Sequence, residues 1–457
     1  MKKTYFTLNN NSTIRQCLSY IEKNKLGIIF LTNSKNEVVG CATDGDIRTK
    51  LLNGVRLDDC IKLCYNKNFV HVDANTDREQ IIKKFDSSIK IIPVLDENFH
   101  LIELLTPNDF PLKKENYVIS RAKSPVRISF GGGGSDLTHY FINNKAAVIN
   151  ATISLYSHAT LQKRNDKKII IFSTDLASSF EADNFKKAVS DKKNKFGLIL
   201  SIINLIKPDF GFELYLRSDY PMNSGLGGSA AVISSIIGCF NEFRIDKWNK
   251  YEIAEMAYQS ERIIYKISGG WQDQYATVFG GINLIEFNKG KNIINSLRIE
   301  EDILLELREN LILCDTCLSH NSSGIHDDQK KELENNKIIN ELVRLNVDLT
   351  YSLRDSLIKG DLSDFGIQLD KGWKNKKRYS KKISNERLDK IYNTAIQNGA
   401  LGGKLLGAGG GGFFLFYCNP LRRWEVVKSL IKLKTKIVEF NFENEGLKSW
   451  KIRKNEN

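Results

Sequence analysis

No apolar run in this 457-residue chain reaches membrane-spanning length. The start, Met1-Lys-Lys-Thr-Tyr-Phe6, leads into polar sequence rather than into the apolar core of a signal peptide. A cytoplasmic protein with no membrane partner is therefore expected. The eight cysteines fall without pattern. Cys314 and Cys317 make one close pair, and no second CxxC or histidine pair completes a zinc site with them. They read as reduced and mostly buried. The six histidines lack metal-ligand spacing, and no serine, cysteine and histidine arrangement competes for nucleophilic catalysis. Basic residues outnumber acidic ones by 67 to 54, a net charge of +13. Most of the excess lies beyond residue 120 and is densest at Lys371, Lys374, Lys376, Lys377, Arg378, Lys381 and Lys382. Such a cluster attracts phosphate groups. Without a recognition motif or base-stacking aromatics it does not make nucleic acid the expected partner. A hydrophobic share of 41% is ample for buried cores in two to four domains.

What the chain does have is glycine in three runs. The segment Pro221-Met-Asn-Ser-Gly-Leu-Gly-Gly-Ser-Ala-Ala231 joins a strand-like run, Gly211 to Leu216, to a helix-like run, Ala230 to Phe240. A glycine turn at a helix start lets several backbone N–H groups converge on one anion. No Lys-Ser or Lys-Thr follows, so this is not a Walker A loop, and no acidic residue ends a second strand as a dinucleotide fingerprint requires. The other runs are Ser124-Pro-Val-Arg-Ile-Ser-Phe-Gly-Gly-Gly-Gly-Ser-Asp136 and Gly402-Gly-Lys-Leu-Leu-Gly-Ala-Gly-Gly-Gly-Gly-Phe413. Four consecutive glycines cost backbone entropy, so they persist where the backbone turns with positive φ or approaches a ligand closely.

The order of these motifs, over roughly residues 118 to 440, resembles that of the GHMP small-molecule kinases. Arg127 to Asp136, Gly269-Gly-Trp-Gln-Asp-Gln-Tyr275 with Phe279-Gly-Gly281, and Trp373 with Lys376, Lys377 and Ser384 resemble the D-glycero-D-manno-heptose 7-phosphate kinases in particular. The chain departs from that pattern at Thr316-Cys-Leu-Ser-His320, where the family tends to carry Thr-Gly and then Arg, and this leaves the sugar open. The resemblance implies an α/β (α+β) fold in two lobes. A ribosomal S5-like first lobe would occupy 116–310 and a ferredoxin-like second lobe 311–457, with the active site between them.

Residues 1–115 form a separate unit. Ile28 to Ile47 aligns without a gap to Ile91 to Phe110 at an offset of 63 residues, each copy reading as strand, turn, strand and Thr-x-x-Asp. This resembles a tandem CBS pair, a module that often binds adenine nucleotides. The resemblance assigns Thr43, Asp46, Thr106 and Asp109 to nucleotide phosphate and ribose hydroxyls; the alternative is that each Thr and Asp caps the helix that follows. Pro111 to Tyr117 makes a polar linker.

The resemblance also implies roles in phosphoryl transfer, which needs phosphate positioning, charge neutralisation and an oriented hydroxyl. Asn223, Ser224, Gly225, Leu226, Gly227, Gly228, Ser229 and Ala230 would cradle the ATP phosphates. Ser229 and Glu261 would hold Mg²⁺. Asp273 would be the catalytic carboxylate, with Arg127 stabilising charge near the transferred phosphate. Gly133, Gly134, Ser135 and Asp136 would meet the sugar, Lys376 or Lys377 its distal phosphate, and Gly409 and Gly410 would close over the substrates. The bland alternatives are a tight strand-to-helix connection for the glycine turn, a surface helix glutamate for Glu261, a turn cap for Asp273, a surface salt bridge for Arg127 and a solvated helix face for the lysines. The expected activity is ATP- and Mg²⁺-dependent phosphorylation of the anomeric hydroxyl of D-glycero-D-manno-heptose 7-phosphate, supplying surface polysaccharide synthesis. The alternatives are a 1-kinase of an unphosphorylated sugar such as fucose, and a nucleotide-sensing regulator with a degenerate kinase unit. A homo-oligomer is expected.

Overall fold

The computed structural model describes residues 5–85, 89–107, 118–190, 194–318, 324–325, 328 and 336–452. The chain separates into two units, Met1–Glu115 and Asn116–Asn457. In the first, strands Ile28–Thr32 and Val38–Thr43 pair antiparallel with Ile29 opposite Ala42 and a register shift between Leu31 and Thr32. Strands Ile92–Leu95 and Leu101–Leu105 place Ile92 opposite Leu105 and the shift between Val94 and Leu95. Each position lies 63 residues beyond its counterpart, so the repeat extends from sequence to hydrogen-bond register. A short parallel strand precedes each hairpin, Thr7–Asn9 and Val72–Asp73. A helix intervenes in each copy, Ile14–Asn24 and Arg78–Lys84. The first helix buries Ile14, Cys17 and Ile21, spaced by three and four residues, against Ile29, Leu31 and Ala42.

Thr43 and Asp46 form a capping box. The Thr43 hydroxyl accepts from the Asp46 N–H at 3.1 Å, and the Asp46 carboxylate accepts from the Thr43 N–H at 2.9 Å. Both side chains are thus engaged in starting helix Asp44–Leu52, the role that needs no ligand. Thr106 is buried; Asp109 and the linker lie outside the described residues.

In the second unit the long strand Ala146–Arg164 pairs with Ile119–Gly131, Gly211–Ser218 and Ile282–Phe287, at the centre of an eight-stranded mixed sheet. Alternation over residues 126–130 gives strand Ile119–Gly131 two different faces. Val126, Ile128 and Phe130 face the second lobe, while Arg127 and Ser129, one position out of phase, line a cleft. Helices Gly197–Ile206, Gly228–Asn241, Lys250–Tyr258 and Gln272–Phe279 cover the sheet through Ile203, Ile236, Ala257 and Tyr275.

The second lobe is a four-stranded antiparallel sheet in the order Ala400–Leu405, Phe413–Cys418, Leu311–Asp315, Lys436–Val438. Helices Lys337–Lys359, Leu362–Lys377, Glu386–Gln397 and Arg423–Lys432 complete it. Phe130 of the first lobe meets Phe365 of the second edge-to-face, centroids 5.2 Å apart. The expectation that everything from 311 onward belongs to the second lobe needs one correction. Strand Lys448–Ile452 returns to the first lobe and pairs with Ile119–Gly131, supplying that strand's otherwise open edge with hydrogen-bond partners. No helix among the described residues is long and apolar enough to cross a membrane.

Candidate active site

The glycine turn before helix Gly228–Asn241 is left-handed at three of five residues, with φ of 58° at Asn223, 76° at Gly225 and 78° at Gly227. That backbone path ends at the helix start. Among the described residues no acceptor meets the N–H groups of Gly227, Gly228, Ser229 and Ala230. Four open donors and the positive end of a helix favour an anion there. The side chains of Leu226 and Ala230 are buried in the core, so these two residues can contribute backbone alone.

The turn is held from beneath by Arg127. Its backbone N–H donates to the Leu226 carbonyl at 3.0 Å, and its Nη1 donates to the Gly225 carbonyl at 2.7 Å. The remaining edge of the guanidinium binds Asp273: Nε and Nη2 both donate to Oδ1, at 2.8 and 2.5 Å. Asp273 sits in the first turn of helix Gln272–Phe279, where the dipole favours a negative charge. The adjoining Gly270 is required by its neighbour, because a Cβ there would lie 1.9 Å from Asp136 Oδ2. Asp136 is buried and accepts from the N–H groups of Gly134 at 3.1 Å and Gln272 at 3.2 Å. Burial pushes its carboxyl upward, and the charge of Asp273 adds to that.

Helix Lys250–Tyr258 widens into a π-helical turn over Gln259–Ile264, a local feature common at functional sites. The wider turn carries Glu261 into the cleft, 3% exposed. Its Oε2 accepts from Gln274 Nε2 at 2.6 Å, and Oε1 lies 3.4 Å from Arg262 Nη1. Burial raises its carboxyl pKa; Arg262 opposes the shift and Asp273 adds to it. Ser229 lines the same cleft with a hydroxyl that bonds to no described residue.

These groups share one cavity of about 280 Å³. Of the expected residues, Gly133, Gly134, Asp136, Asn223, Ser224, Gly225, Gly227, Gly228, Ser229, Glu261, Asp273 and Lys376 line it with Arg127. Others do not. Ser135 Oγ is fully buried and donates to the Gly132 and Ala147 carbonyls at 2.8 and 3.1 Å, fixing the turn. Lys377 turns outward to Asp389 at 3.1 Å. Gly409 and Gly410 pack on Ile383, and Gly407 with Ala408 reaches the cleft in their place. Thr316 bonds the Gly412 carbonyl through both N–H and hydroxyl; Ser319 and His320 lie outside the described residues.

Lys404 and Arg262 also line the cavity and were not expected. Arg262 carried no motif. Lys404 did leave a signal, a single charge between glycines and leucines in a strand that is otherwise apolar.

Residues 185–281 match the GHMP kinases N terminal domain, 353–429 the GHMP kinases C terminal domain and 61–110 the CBS domain. D-glycero-alpha-D-manno-heptose 7-phosphate kinase of Campylobacter jejuni is 38% identical over 338 residues, spanning 73% of this chain and 99% of that protein. The chain belongs to the GHMP kinases. A GHMP kinase of this kind is a phosphotransferase acting on a sugar hydroxyl, and ATP is the phosphoryl donor consistent with the family. A solved D-glycero-D-manno-heptose 1-phosphate kinase from Bacteroides thetaiotaomicron superposes with a TM-score of 0.59 and 29% identity, covering 73% of this chain and 99% of that one. L-fucokinase/L-fucose-1-P guanylyltransferase of Bacteroides fragilis is 26% identical over 64% of this GHMP kinase and 34% of that protein.

Proposed function

We propose that this kinase transfers the γ-phosphoryl group of ATP to the anomeric hydroxyl of D-glycero-D-manno-heptose 7-phosphate, giving the 1,7-bisphosphate. The observation that carries this reading is the set of groups that meet in one cleft: the turn with its open N–H groups, the Arg127–Asp273 pair, Asp136 and the buried Lys376. The 38% identity to the Campylobacter jejuni enzyme supports the same sugar.

The N–H groups of Gly227 to Ala230 bind the ATP phosphates. Asp136 accepts hydrogen bonds from sugar hydroxyls, and Lys376 faces the sugar's distal phosphate. Asp273 orients the anomeric hydroxyl and takes its proton, a contribution of about 10²–10⁴ in rate. Arg127 fixes that carboxylate and keeps positive charge beside the path of the phosphoryl group. A divalent ion fits the donor set, since Ser229 offers an unengaged hydroxyl and Glu261 a buried carboxylate in the same cavity. Such an ion would neutralise charge on the β- and γ-phosphates. The CBS unit is proposed to bind an adenine nucleotide and to tune the kinase.

The test is ADP release by the full chain with Mg²⁺ and ATP, against heptose 7-phosphate, free heptose, fucose and no sugar. Turnover with the heptose phosphate at least tenfold above every other acceptor is the expected result. Preference for fucose would overturn the sugar, and ADP release independent of any sugar would overturn the acceptor altogether.

A further inference from the structure

Lys376 and Lys404 reach the cleft from different elements of the second lobe, helix Leu362–Lys377 and strand Ala400–Leu405. They are 8% and 6% exposed. Lys376 Nζ donates to the Gly407 carbonyl at 2.5 Å. Lys404 Nζ lies 3.5 Å from Ser129 Oγ, its single hydrogen-bond partner among the described residues. Neither ammonium pairs with a carboxylate among those residues. Both also line a second, small cavity of about 10 Å³, room for one water, between the first glycine run and Asn346. Buried lysines with no carboxylate in ion-pair reach are costly, because a charge taken out of water needs a partner. The two head groups are therefore placed to take an anion.

We propose that Lys404 and Lys376 together form the recognition site for a phosphate monoester on the acceptor sugar, and that Lys404 decides between phosphorylated and neutral acceptors. This rests on the reading of the cleft as a sugar kinase site and deepens it. The groups facing the pair are Arg127 on strand Ile119–Gly131 and Asp136 on the turn that follows; Asp273, Glu261 and Arg262 share the cavity. Burial pushes Lys376 down to about 8, with Arg127 lowering it further and Asp136 opposing. Lys404 falls well below its ordinary value through burial and the charges of Lys376 and Arg127. Both shifts disfavour the ammonium forms in the cleft. A phosphate dianion favours both ammonium forms, so its binding draws protons from solvent. A neutral sugar does not.

The experiment measures kcat/KM of the full chain and of Lys404→Met for heptose 7-phosphate and free heptose. A charged hydrogen bond to phosphate is worth roughly 10- to 100-fold. The expected result is a fall of that size for the phosphorylated sugar alone, so that the preference between the two acceptors collapses. Calorimetry of the unaltered enzyme with heptose 7-phosphate at pH 8, in two buffers of different ionisation enthalpy, should show net proton uptake, and free heptose should show none. This second measurement stands even where the variant fails to fold. An unchanged preference in Lys404→Met, or binding of the phosphorylated sugar without proton uptake, overturns the inference while leaving the kinase reading intact. An unaltered enzyme that prefers a neutral sugar overturns both.

Discussion

Arg127 spends two of its donors on one oxygen of Asp273, Oδ1, and none on the other. Among the described residues no donor reaches Oδ2. The pair therefore fixes the carboxylate's orientation while leaving one oxygen for a substrate proton. The third Arg127 contact, to the Gly225 carbonyl at 2.7 Å, ties that orientation to the turn that holds the phosphates.

Replacing Asp273 by Asn keeps an acceptor oxygen but removes the base. Turnover should fall by about two to four powers of ten, with ATP affinity by calorimetry within a few-fold of the parent. Turnover near that of the parent would remove Asp273 from the chemistry.

Glu261 supplies a pH dependence with a definite sign. Its carboxyl pKa is raised, so it takes up a proton as pH falls toward that value, sooner than an ordinary glutamate. A protonated carboxyl is a poor Mg²⁺ ligand. The Mg²⁺ concentration for half-maximal activity should therefore rise as pH falls. Glu261→Gln should raise that concentration at every pH and lose the acid dependence, with the sugar KM little changed. A Mg²⁺ titration unaltered by the substitution would refute the assignment.

Gly407 has φ of 70°, and a Cβ there would sit 2.7 Å from Gly225 Cα. Gly407→Ala must strain its own backbone or push the phosphate-binding turn aside. A loss of about 1–3 kcal/mol in urea unfolding, together with a raised KM for ATP, is expected. Parent-like values for both would show that the two loops are not in register as described.

Removing residues 1–115 should leave an active kinase. The Campylobacter jejuni relative is covered to 99% by a match of 338 residues, close to the length of the second unit. The truncated chain should lose any response to an adenine nucleotide other than substrate ATP, because coupling requires a ligand that binds one state better than another, typically by about 1–3 kcal/mol. If the full chain shows no such response and truncation instead changes its mass in solution, the front unit serves assembly.

The sequence by itself determined what is local. Glycine spacing fixes where the backbone turns left-handed, so the phosphate-binding turn was legible, with helix Gly228–Asn241 beginning where the glycines end. The 63-residue repeat likewise reappears as matched hairpin registers, because alternation and turn length set register along a single hairpin. Thr43 with Asp46 was legible only as a pair of alternatives, since capping and ligand binding ask for the same side chains.

Tertiary structure decided what depends on distant segments meeting. Lys376 enters the cleft and Lys377 does not, because one residue is a rotation of about 100° on a helix: Lys376 is buried, while Lys377 is left to pair with Asp389. Lys404 is a lone charge in an apolar strand until residues 127–136 close over it from the other lobe. Glu261 needs a π-helical turn that no spacing announced. The last strand finds its partner more than three hundred residues earlier. In each case the sequence supplies the group, and long-range packing sets the dielectric, the neighbouring charges and the direction in which it points.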